Sequence, residues 1–266
     1  MAPAETEGSD DAAFELSDVP AAVVCAFCGK PDCAGCPPIE ESTHASGVIA
    51  IVPWERPGQG WLSRLWATAR LATLSHRELF SGMPEGGLAA PLAFALFAES
   101  LAAIGLGLCA AGGLALAPDI IGVVLADPVL RSILFRAFGY GVPGIVVLMV
   151  VLHALHGVLV DRAAHWAGSQ KRGRGLRFGL YACGWDLVTL PLGLLVVALT
   201  EGLGTARTAA GLAISVPAEA TRAYLSGIHH LDPERAKRAT RRASLTTMGW
   251  AVALLVAGVV LFFTAR

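Results

Sequence analysis

The sequence predicts an all-α, polytopic membrane protein, a bundle of about five transmembrane helices with a cytosolic N-terminus and an external C-terminus. Composition is the first observation behind this. Of 266 residues, 55% are apolar and 15% charged, whereas a soluble domain carries roughly 45–50% and about 25%. The second observation is a set of apolar runs of about 20 residues, the length a helix needs to cross the hydrocarbon core. The third is charge segregation: the formal net charge is only -1, yet the basic residues gather in particular loops, as they do on the cytosolic side of a membrane.

Residues 1–48 hold nine acids and one base, Lys30, and too few apolar residues to form a core, so an acidic, mostly disordered tail is expected. It lacks the basic start and apolar core of a secretory signal and is expected to stay in the cytosol. Within it, Cys25, Cys28, Cys33 and Cys36 form a Cys-x2-Cys-x4-Cys-x2-Cys knuckle over 25–36, with Gly29, Pro31 and Gly35 at the turns. Four thiolates so close can complete a tetrahedral shell, which makes Zn2+ the expected cofactor in a structural role, four Cys ligands leaving no open position. A pair of disulfides suits a reducing cytosol poorly, and a redox dithiol lacks a supporting βαβ pattern. His44 is a spare ligand at most.

Residues 49–87 form a linker and an amphipathic helix. Trp61, Leu62, Leu65, Trp66, Ala69 and Ala72 share one arc at helical spacing, with Arg64 and Arg70 away from it. Such a helix suits the membrane interface; the alternative is a helix packed on the bundle or on a cytosolic partner. Residues 88–264 then make the bundle. Strong spans are expected at 88–116, 142–160 and 246–263. The run 178–199 contains Asp186 and Pro191 and is accepted as a span, whereas 209–225, with Pro217, Glu219 and Arg222, is weak.

Loop charges decide the weak run. Arg162, Lys171, Arg172, Arg174 and Arg177 follow the second span, and Arg222, Arg235, Lys237, Arg238, Arg241 and Arg242 precede the last. Both clusters belong in the cytosol, so an even number of crossings separates them. If 178–199 crosses, 209–225 must cross as well.

The costly residues inside these spans are Glu99, His153, His156 and Asp186, and an ionisable group at that depth is a functional candidate. His153 and Asp186 lie at similar depth, about 10 and about 12 Å from the cytosolic ends of their spans, and can pair. Glu99 falls on a stripe of small residues, Ala95, Ala103, Gly107 and Ala111, so it should face protein. Gly249, Ala253 and Ala257 offer a matching stripe on the last span. The groups are scattered without a continuous polar face, which favours interhelical hydrogen bonding over a relay. Cys109 and Cys183 read as small packing residues. Nucleophile-elbow, P-loop, dinucleotide and zinc-protease motifs are all missing, so no catalytic residue is assigned and no enzyme is expected. The basic stretch 171–177 has no interleaved aromatics, which argues against nucleic acid.

Pro53-Trp54-Glu55, Trp66, Leu79-Phe80, Gly86-Gly87 and Pro91-Leu92-Ala93-Phe94-Ala95 resemble the entry to the Yip-domain family of Ypt/Rab-interacting membrane proteins in its prokaryotic form. The likeness continues through Leu152-His153, Leu155-His156, Arg177-Phe178, Tyr181-Ala182, Leu190-Pro191 and Ile228-His229-His230, and spans roughly 53–264. It leaves the Cys-rich tail as an addition. The resemblance implies a five-span bundle and a non-enzymatic adaptor, with no residue for GTPase contact carried over.

Two functions are therefore expected. One is a membrane adaptor or scaffold with a zinc-ordered docking tail, in the cytoplasmic membrane of a prokaryote, contacting lipid, a cytosolic protein and its own copies. The other is a small-solute or ion permease using Glu99, Asp186 and His153.

Overall fold

The computed structural model describes residues 52–264, and among these the chain forms eleven α-helices and no strand. The four-Cys knuckle and His44 lie outside the described residues. Helices α1 (Trp61–Leu74) and α2 (His76–Ser81) precede the long α3 (Ala89–Ala115). Two short helices follow, α4 (Pro118–Ala126) and α5 (Pro128–Arg136), and a single wide helical turn joins α5 to α6 (Val142–Trp166). The remaining elements are α7 (Gly175–Ala182), α8 (Gly184–Thr189), α9 (Pro191–Glu201), α10 (Leu203–Ile228) and α11 (Pro233–Thr264).

Three stretches, 89–115, 128–166 and 233–261, are long and apolar enough to cross a membrane, and α7–α9 would make a fourth if taken as one bent span. The chain is thus an all-α, multi-pass membrane bundle. The expected run 178–199 is broken: Leu190 is extended, as a residue before proline tends to be, and α9 leaves at 69° to the segment before it. Gly193 closes this bend, because any side chain there would meet the Leu187 carbonyl. The weak run 209–225 lies in a continuous 26-residue helix despite Pro217, but that helix does not reach the apolar threshold of a span.

Close packing concentrates where glycines let backbones touch. Gly157 of α6 faces Gly175 and Gly179 of α7 so closely that a Cβ at any of the three would collide with backbone of the opposing helix. Gly184 of α8 receives Ala69 and Ala72 of α1, and Gly227 of α10 sits on Ser81 of α2. Phe178 occupies the centre, with Phe80 at 4.8 Å and a stacked Tyr224 at 4.7 Å between ring centroids.

The apolar arc of α1 is divided between two environments. Leu65, Ala69 and Ala72 are buried on the bundle, where Trp185 donates to the Ala72 carbonyl at 3.0 Å, while Trp61 and Leu62 remain exposed. The linker is clasped onto this core by Pro53-Trp54-Glu55. Trp54 donates to the Ala90 carbonyl at 2.8 Å, and Glu55 accepts from Arg177 at 2.7 Å and from Tyr181 at 2.6 Å.

The opposite halves of the long helices are different. Beyond Gly105 on α3, before Val146 on α6 and beyond Ala243 on α11, the side chains are almost all exposed and apolar. The expected pairing of small-residue stripes is not seen: Gly107 and Gly249 have open space beside them. The glycine of α3 that carries a close contact is Gly105, against Leu192 of α9.

Candidate functional site: two buried polar clusters

The first cluster joins α3, α6 and α8. His153 Nε2 lies 2.9 Å from Asp186 Oδ2 and 3.6 Å from Glu99 Oε1. Glu99 is 3% exposed, so it faces protein as the sequence suggests, and its Oε1 has no hydrogen-bond partner. The Cys183 thiol completes the group: Glu99, His153 and Cys183 each offer a ligand atom within 4.8 Å of the others, near enough for one small cation. Trp185 covers the imidazole edge-on at 5.7 Å. Cys183 was legible only as a packing residue, because its partners come from two distant helices.

His156, one turn further along α6, is separate from this group. Its two ring nitrogens contact Thr247 of α11 at 3.0 Å and Thr221 of α10 at 3.2 Å. These contacts join three helices through one side chain, and each hydroxyl also donates within its own helix, Thr221 to the Pro217 carbonyl and Thr247 to the Ala243 carbonyl.

The second cluster lies outside the candidate site residues that the sequence singles out. Asp161, on the last turns of α6, accepts from Gly175 N–H at 2.7 Å and from the Tyr224 hydroxyl at 2.7 Å, and pairs with His229 Nε2 at 3.0 Å. The other nitrogen of His229 meets Ser169 Oγ at 2.9 Å. Asp161, His229 and Ser169 follow one another in the order of a hydrolytic relay, but Ser169 is buried and its hydroxyl already accepts from Lys171 N–H. That connectivity ties the 167–174 turn to α6 and α10. One sequence signal pointed to it: Asp161 is the single acid among residues 161–177, otherwise rich in arginine.

Above Asp161 opens a cavity of about 590 Å³ between α6, the start of α7 and residues 85–88. Comparison of the chain with protein-family models, curated proteins and solved structures gives no match.

Proposed function

We propose that the protein is a non-enzymatic, Yip-like membrane scaffold of a prokaryotic cytoplasmic membrane, with a cytosolic tail ordered by zinc on Cys25, Cys28, Cys33 and Cys36 as its docking element. The observation that supports this reading is how the buried polar groups are used. His153 with Asp186, His156 with Thr221 and Thr247, and Asp161 with Tyr224 and His229 each join different helices. Interhelical hydrogen bonds of this kind fix a bundle's geometry.

We infer three full crossings, α3, α5–α6 and α11, in place of the five that the Yip resemblance implies. Zero is also an even number, so the two basic loops stay on one side if α7–α10 fold back without crossing. Two findings support that: α10 is too polar for a span, and Glu201 at the end of α9 pairs with Arg70 of α1 at 2.7 Å, which would bring α9 back to the side that α1 occupies. Both termini keep the orientation expected of five crossings. A cysteine introduced at Thr205 tests this in intact cells: labelling from the cytosol fits three crossings, and labelling from outside fits five.

In-membrane crosslinking and co-purification test the scaffold. The intact protein should retain a defined cytosolic partner that is lost when all four tail cysteines become serine; a partner retained equally by both proteins would remove the tail from the account. The second reading, an ion or small-solute permease, is favoured by one feature, the buried Oε1 of Glu99, which has no hydrogen-bond partner and lies beside His153.

A further inference from the structure

The cavity above Asp161 has an unequal charge balance. Arg162, His165, Arg172, Arg174 and Arg177 all line it. Its two acids are already engaged: Asp161 holds Gly175, Tyr224 and His229, and Glu85 pairs with Arg174 at 3.0 Å. Arg177 is likewise committed, to Glu55 and the Gly87 carbonyl. Even so, the Nε groups of Arg174 and Arg177 are buried donors with no acceptor. Arg162 and Arg172 are exposed and enter no hydrogen bond or ion pair among the described residues. The cavity therefore presents two uncommitted guanidinium groups, with no free carboxylate to oppose them.

The floor is apolar. Leu88, Val158 and Leu176 line the same cavity, and Leu88 and Val158 are exposed. Arg162 stands one turn beyond Val158 on α6, about 6 Å along the axis. That is the distance from the hydrocarbon edge to the headgroup layer, which adds about 5–7 Å to each face of a bilayer. His156 contacts Thr247, at the start of the exposed apolar half of α11, so Val158 lies close to that edge. Guanidinium groups bind phosphate oxygens in bidentate geometry, and basic pockets between helices on the cytosolic side take anionic headgroups.

We propose that this cavity binds a phosphate-bearing anion through Arg162 and Arg172, with the glycerol and first acyl carbons of an anionic phospholipid resting on Leu88, Val158 and Leu176. The site is independent of the scaffold reading, since it uses neither the Cys tail nor the Glu99 cluster.

The test uses the full-length protein in mild detergent, titrated calorimetrically with short-chain phosphatidylglycerol, short-chain phosphatidylcholine and inorganic phosphate. Phosphatidylglycerol should bind at least tenfold more tightly than phosphatidylcholine. Arg162→Gln with Arg172→Gln should weaken that binding at least tenfold at an unchanged melting temperature, while Lys237→Gln, outside the cavity, should leave it unaltered. Competition by inorganic phosphate at equal concentration would support the same site with a soluble phosphate as its source; failure of phosphate to compete, with phosphatidylglycerol still bound, supports the lipid. Equal binding of both lipids, or full binding by the double Arg variant, overturns the proposal. A double variant that melts early is replaced by Arg162→Lys with Arg172→Lys, which keeps the charge and removes the planar fork; it should lose affinity for phosphatidylglycerol severalfold, and undiminished affinity overturns the proposal.

Discussion

The two ends of this bundle are built by different rules. At the end that carries Asp161 and Arg177, helices meet through glycine contacts and through side chains that each satisfy two or three partners. At the other end, α3, α5 and α11 present exposed leucine, valine and phenylalanine with open space beside Gly107, Gly112 and Gly249. Leucine gains nothing from leaving lipid for another leucine, so apolar side chains alone do not draw helices together in a membrane. Packing therefore accumulates where small residues and hydrogen-bonding groups are, and the rest is left for the bilayer to cover.

Substitutions at the two ends should separate these rules. The largest effect is expected for Asp161→Ala, which strands His229, the Tyr224 hydroxyl and the Gly175 N–H at once. A loss of about 3 kcal/mol is anticipated from leaving several partners unsatisfied, read as a lowered unfolding midpoint in detergent, with Asp161→Asn milder because its amide oxygen still accepts. Next is Gly157→Ala, whose methyl group must force α6 and α7 apart at a cost of about 1–3 kcal/mol. The same exchange at Gly112, where nothing is near, should instead be neutral or stabilise by up to about 1 kcal/mol through helix propensity. Equal effects of the two Gly→Ala changes would contradict the division drawn here. Smallest is Arg70→Ala: its pair with Glu201 is half exposed, and such bridges contribute about 0–1 kcal/mol.

Much of this division could be read from the chain. The runs 88–116, 142–160 and 246–263 emerge as helices because length and apolarity alone specify them. Glu99 facing protein follows from its small neighbours, and the meeting of His153 with Asp186 follows from equal depth. Other features depend on where distant helices land. The break at Leu190 makes α7–α9 a bent pair, and although Pro191 was visible, its 69° consequence was not. The expected stripe on α3 passes two positions away from the glycine contact the helix makes, at Gly105, because small residues are frequent along that helix and spacing does not choose among them. Cys183 and Asp161 acquire their roles from partners contributed by other helices; no local pattern reveals the first, and the second shows locally only as a lone acid among arginines.

The central claim is that the buried ionisable residues hold the helices together and carry nothing across. It is tested most directly by reconstituting the protein in liposomes and measuring proton and cation flux beside thermal unfolding, for the unaltered protein, Asp186→Asn and Glu99→Gln. The account predicts no flux above that of protein-free liposomes in any of the three, with a lowered unfolding midpoint for Asp186→Asn, which weakens the contact to His153. Flux in the unaltered protein that vanishes in both variants at unchanged stability would contradict it and establish the permease reading instead.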